Sequence, residues 1–165
     1  MNKVVVLLVV LCLGLSSVAM AQGGYGGSYS DEAYQGFRAH LGFAWPGDLD
    51  SALVYGGDYI WRHGLATVNI LNSEDITLWT LEYSYLLRGQ DDPSLYYGGG
   101  LGWASASNGD TDTGVLWNVL LGKEFGGQNG TIGKHSWFVE ARYNLGSDVG
   151  HLNVDGLRVV GGYRF

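Results

Sequence analysis

The chain has 165 residues, 28 of them Gly and only 2 Pro, with 13% aromatic and 15% charged residues and a formal net charge of -7. This balance excludes a nucleic-acid partner, because phosphate binding needs a basic face and none is visible. Mean hydropathy near zero is too low for a helical membrane protein, and the periodicity of a soluble α/β domain is absent; many strands of alternating polarity give such an average.

At the N-terminal end, Met1-Asn2-Lys3 is a short positive head, Val4 to Leu15 an apolar run, and Ala19-Met20-Ala21 a small-residue cleavage site. Together they predict a secretory signal peptide over residues 1–21, cut after Ala21, with Ala19 and Ala21 as the recognition positions. Val10 and Leu11 stand before Cys12 where a lipobox has small residues, so no lipid anchor is expected. Cys12 leaves with the signal, and with it any disulfide or thiolate metal site. No other stretch reaches the ~18 apolar residues a transmembrane helix needs, so any membrane crossing is made by strands.

Residues 22–35 form a Gly/Ser/Tyr-rich tail, expected to be flexible and periplasmic. From residue 36 onward the chain reads as strands with a period of two. The first, about Gly36 to Trp45, sets Phe37, Leu41, Phe43 and Trp45 against Arg38 and His40, and Pro46 to Asp50 ends it. The second, about Ala52 to Arg62, sets Leu53, Tyr55, Tyr59 and Trp61 against Val54, Asp58, Ile60 and Arg62, with His63-Gly64 as a turn. The third, about Leu65 to Leu71, points Val68 and Ile70 out and Thr67 and Asn69 in. The fourth, about Ile76 to Leu87, points Trp79, Leu81, Tyr83 and Tyr85 out and Thr80, Glu82 and Ser84 in, before a turn from Arg88 to Pro93.

The fifth strand, about Leu95 to Ala104, is followed by a polar loop from Ser105 to Thr113, and the sixth, about Gly114 to Phe125, by a long connection from Gly126 to Ser136. The seventh, about Trp137 to Leu145, alternates Trp137, Val139 and Tyr143 with Phe138, Glu140 and Arg142. In the eighth, Leu157, Val159, Gly161, Tyr163 and Phe165 share one face, while Arg158 and Arg164 lie on the other. The prediction is an all-β protein, an eight-stranded antiparallel up-and-down transmembrane β-barrel over residues 36–165.

The decisive feature is where the charges fall. Arg38, Asp58, Arg62, Glu82, Glu124, Glu140, Arg142, Arg158 and Arg164 all take inward positions; outward there is Lys123, near a strand end where it can snorkel. An Arg or Lys facing lipid at the midplane costs roughly 2–4 kcal/mol, so a membrane barrel needs this segregation. An eight-stranded barrel is only wide enough inside for side chains, which predicts a lumen plugged by ion pairs. The outward aromatics gather in two girdles, one with Phe43, Trp45, Trp79, Trp103 and Trp117 and one with Phe37, Trp61, Tyr83, Trp137 and Tyr163.

The terminal pattern Leu157, Val159, Gly161, Tyr163, Phe165, the strand Trp137 to Tyr143 and the stretch Tyr97 to Trp103 resemble the small outer-membrane β-barrel domain family, the OmpA/OmpX-like, porin-related group. The resemblance implies a monomer in the outer membrane of a Gram-negative bacterium, in contact with lipid and lipopolysaccharide. It also implies that Leu157, Val159, Gly161, Tyr163 and Phe165 are read by the barrel assembly machinery during insertion. A non-enzymatic structural or surface-interaction role without a cofactor is expected; the alternatives are a narrow porin-like channel and a lipid A-modifying barrel enzyme. For the enzyme the candidate residues are His135, Ser136 and Glu140, and for a divalent cation Asp48 with Asp50 or Asp110 with Asp112, which complete no calcium loop. Gly98 to Gly102 precedes no helix and is not a nucleotide fingerprint.

Overall fold

In the computed structural model, residues 35–47, 51–73, 76–89, 91–108, 110–126, 135–146, 148–149 and 152–165 are described. The predicted signal peptide with Ala19 and Ala21, the predicted tail up to residue 34, Asp48, Asp50 and most of the 126–136 connection lie outside them. Eight strands run in chain order: β1 (Gly36–Pro46), β2 (Ala52–Trp61), β3 (Gly64–Ser73), β4 (Ile76–Arg88), β5 (Leu95–Asn108), β6 (Asp110–Phe125), β7 (Ser136–Gly146) and β8 (Gly156–Arg164). Each pairs antiparallel with the next, and β1 pairs with β8, so the sheet closes on itself as an up-and-down barrel. Closure removes the free edges that an open sheet leaves.

The alternation read from the sequence is the burial pattern of the strands. In β4, Trp79, Leu81, Tyr83 and Tyr85 are exposed while Leu78, Thr80, Glu82, Ser84 and Leu86 are buried. The short third strand is longer than predicted, paired along its length with Tyr55 opposite Ile70 on one side and Glu82 opposite Thr67 on the other. The seam between β1 and β8 is in register from Arg38↔Arg164 to Pro46↔Gly156, and Phe165 extends it by donating its amide to Phe37 O at 2.9 Å.

Two predicted boundaries are corrected. Ser105 to Thr113 is no loop: β5 continues to Asn108, β6 begins at Asp110, and Ser105 pairs with Thr113. Its outward positions, Ser105, Ser107, Thr111 and Thr113, are polar while Ala104 and Ala106 face inward, so the apolar-out alternation that marks the other strands is lost. Arg62 is the second. β2 ends at Trp61, so Arg62 sits exposed in the β2–β3 turn and not in the lumen.

A barrel this narrow curls tightly, and glycine permits it where backbones crowd. A Cβ at Gly100 would stand 1.8 Å from Tyr83 O on β4, and one at Gly122 would stand 2.2 Å from the Tyr96 ring inside the barrel. Both positions can hold only hydrogen.

Candidate functional site: a sealed polar lumen inside an apolar surface

Inward positions of all eight strands supply one connected network. On β1, Arg38 reaches its cross-strand partner Asp58 on β2, with Nε at 3.2 Å and Nη2 at 2.9 Å from Oδ2. Its Nη2 also donates to Glu140 Oε2 on β7 at 3.2 Å and its Nη1 to the Tyr96 hydroxyl on β5 at 2.7 Å. The guanidinium carbon lies 3.9 Å from the centre of the Phe138 ring, a cation–π contact. Tyr96 in turn donates a hydrogen bond from its hydroxyl to Glu140 Oε2 at 3.0 Å.

Glu82 on β4 is the second hub. Arg158 on β8 grips it with two nitrogens, at 2.9 Å to Oε1 and 3.1 Å to Oε2, and Arg142 on β7 bonds the same Oε2. Arg142 also donates to Glu140 Oε1 at 2.7 Å, which joins the two hubs. Asn69, Thr80 and Asn118 fill the remaining acceptor directions of Glu82. His40 lies between Asp58 Oδ2 at 3.1 Å and Asn69 Oδ1 at 2.8 Å.

Arg142 and Arg158 are direct cross-strand partners, a placement that like charges disfavour. Glu82, arriving from the far side of the barrel, resolves the repulsion. In this layer three arginines (Arg38, Arg142, Arg158) face three acids (Asp58, Glu82, Glu140), all buried. Burial of charge is tolerable on those terms alone, paired and hydrogen-bonded.

Apolar layers close the network off. Towards the end that carries the 47–51, 74–75 and 147–155 connections lie Ala44, Val54, Leu71, Leu78, Ala106 and Leu116, and towards the opposite end, that of the β2–β3 turn and here called the turn end, Ile60, Leu65, Leu86 and Leu120. A cavity of about 10 Å³ beside Thr80, Asn144 and Arg158 has room for a single water.

A second, smaller group sits near the turn end. Glu124 lies between Arg164 at 3.4 Å and Arg88 at 3.6 Å, and Arg164 also donates to Gln35 O at 2.9 Å. Arg88 was read as a turn residue. β4 runs one residue further than predicted and carries it to the lumen side.

Of the charged residues assigned to the lumen, all but Arg62 are inside. The neutral members of the network, Tyr96, Asn69, Thr80, Ser84 and Asn118, have the inward parity of their strands but no charge to single them out. The groups considered for lipid hydrolysis are not brought together: exposed His135 meets the Tyr163 hydroxyl at 3.2 Å, Ser136 is buried, and Glu140 is held by Arg38 and Arg142. Among the described residues no three His, Asp, Glu or Cys gather as metal ligands.

The outer surface is the inverse of the lumen. Phe37, Trp117 and Trp137 are more than 60% exposed, while Arg142 and Arg164 are 1% exposed or less. Around the turn end the rings touch: Phe37 to Tyr59 at 4.9 Å, Tyr59 to Trp61 at 5.9 Å, Trp61 to Tyr83 at 5.8 Å, and Trp137 to Tyr163 at 5.0 Å.

The barrel is similar to a designed transmembrane β-barrel, the de novo protein TMB2.3 solved by solution NMR. The two superpose with a TM-score of 0.50 over 82% of this chain and 98% of that one, at 10% identity. At that identity the likeness is one of fold. No protein-family model matches the chain, and no curated protein does.

Proposed function

We propose that this protein is an integral β-barrel of the bacterial outer membrane, held in lipid by its outer face and plugged by its ion pairs, with a structural or surface-interaction role. The observation that carries this reading is the reversal of burial. Exposed Phe, Trp, Leu and Val line the outside of every strand, and arginines and acids line the inside. A soluble barrel that holds a ligand has the opposite arrangement. In water so large an apolar surface drives aggregation, whereas in a bilayer it is the solvated side. The two aromatic girdles fit the headgroup depths, and the closed ladder leaves no strand unpaired across the middle of the wall.

The apolar layers on either side of the polar network favour a plug over a channel. The full chain refolded into phosphatidylcholine vesicles is expected to give β-type circular dichroism, to migrate differently on a gel before and after boiling, and to show no steady conductance. Identical migration with no β signal would refute the barrel in lipid; porin-like current would refute the plug. In cells, deleting Phe165 is expected to lower membrane yield while refolding into detergent persists. Equal yields would remove the assembly role of Leu157, Val159, Gly161, Tyr163 and Phe165.

A further inference from the structure

The hairpin of β5 and β6 is the longest in the barrel, and among the described residues the tip of β6, at Thr111 and Thr113, has a paired strand on one side only. Pairing with β5 continues to Asn108↔Asp110, but the ladder with β7 begins at Leu116↔Gly146. The Glu124 amide donates to Ser94 O on the β5 side, so even-numbered residues of β6 turn their N–H and C=O towards β5 and odd-numbered ones away. Thr111 and Thr113 therefore present an amide and a carbonyl each on the open side, where neither has a backbone partner among the described residues.

Edges of this kind are normally protected by Lys, Pro or a bulge. Thr111-Asp112-Thr113-Gly114 has no Lys or Pro, and its register with β5 runs without a bulge. The segment also stands past the girdle. Beyond Trp103 and Trp117 the outer face of the hairpin changes to Ser105, Ser107, Thr111 and Thr113, the surface of a strand in water.

We propose that the β6 edge at Thr111 and Thr113 docks an extended, lysine- or arginine-bearing segment of another polypeptide, which adds to the hairpin as a further strand. Main-chain hydrogen bonds would give such a contact its affinity and the flanking charges its specificity. The charge is one-sided. By sequence three connections at this end carry Asp48 and Asp50, Glu74 and Asp75, and Asp148 and Asp155, and the start of β6 carries Asp110 and Asp112, with no Lys or Arg among them. Asp112 and Asp148 are exposed. A second copy is the wrong occupant, because pairing two edges across Thr111 and Thr113 sets Asp112 against Asp112, and like charges directly opposite repel.

The test uses the full chain refolded in detergent micelles and a short synthetic peptide that alternates lysine with valine and threonine, with its glutamate counterpart as control. The lysine peptide is expected to bind and to protect the Thr111 and Thr113 amides from hydrogen exchange. Thr113→Pro removes an amide from the open edge and none from the β5 ladder, and should weaken binding about tenfold, the worth of one or two hydrogen bonds. Asp112→Asn and added salt should each weaken it about threefold. Unchanged binding to Thr113→Pro, equal binding of the glutamate peptide, or dimers that occupy the edge would each overturn the proposal. If Thr113→Pro does not fold, exchange in the unmutated protein decides the matter, and unprotected Thr111 and Thr113 amides refute it.

Discussion

The two charged groups of the lumen solve the same problem with different completeness. In the central layer both oxygens of Glu82 are occupied by Arg142, Arg158, Asn69, Thr80 and Asn118, and three cations balance three anions. At the turn end Glu124 stands between two arginines at 3.4 and 3.6 Å, and its Oε1 has no hydrogen-bond partner among the described residues. The difference follows how many donors converge on each acid and not depth alone, since buried Asp58 in the central layer also has one oxygen, Oδ1, without a hydrogen-bond partner among the described residues.

The largest expected effect tests the deep end of that contrast. Glu82→Ala leaves Arg142 and Arg158 facing each other and should cost about 3–5 kcal/mol in denaturant unfolding from vesicles. Replacing Glu82 and Arg158 together with apolar residues of similar size should cost less than Glu82→Ala alone, because the stranded charge and not the lost pair dominates the penalty. Glu124→Ala, at the shallow end, should cost about 1–2 kcal/mol by the same measurement. If the two glutamates proved equal, the number of donors around each acid would not be what separates the groups.

Smaller again is Tyr96→Phe, which removes a hydroxyl that accepts from Arg38 and donates to Glu140 while keeping the ring; a loss of about 1 kcal/mol is expected. The smallest effect belongs to Asp92, in the short turn outside the wall. Hydrogen bonds from Ser94 and then from Lys123, the latter at 2.9 Å, hold its carboxyl below the ordinary 3.8. A carboxyl lowered on folding adds stability that is present above its unfolded value and is lost as pH falls through the folded one. Asp92 is largely exposed, so the gain is slight. Asp92→Asn should lower the urea midpoint barely at neutral pH, and the difference should vanish in acid. A gap that widened below pH 3.8 would contradict this sign.

Much of this was legible in the sequence because a barrel wall imposes one rule, period two, on every strand. Arg38, Asp58, Glu82, Glu140, Arg142 and Arg158 could be placed inward by parity alone. What parity cannot locate is where a strand stops. Arg62 was carried inward by running β2 one residue too far, and Arg88 was left out by ending β4 one residue too soon. The end of the β5–β6 hairpin escapes the rule because its outward residues, Ser105, Ser107, Thr111 and Thr113, are polar, so the apolar-out contrast of the other strands is absent. Which cation meets which acid was also hidden: Arg158 and Glu82 are 76 positions apart, and only closure of the barrel brings them together.

That separation bears on the order in which the wall can be built. The first hairpin neutralises itself, since Arg38 has Asp58 directly across from it. The last hairpin sets Arg142 beside Arg158, and the acid that Arg158 grips is on β4, across the barrel. Within a β7–β8 ribbon Glu140 can meet Arg142, but the acid that Arg158 grips comes only with β4. The lumen acts as a latch: the final strands become comfortable only once the cylinder is complete, so partly rolled sheets are penalised and closure becomes a single all-or-none event.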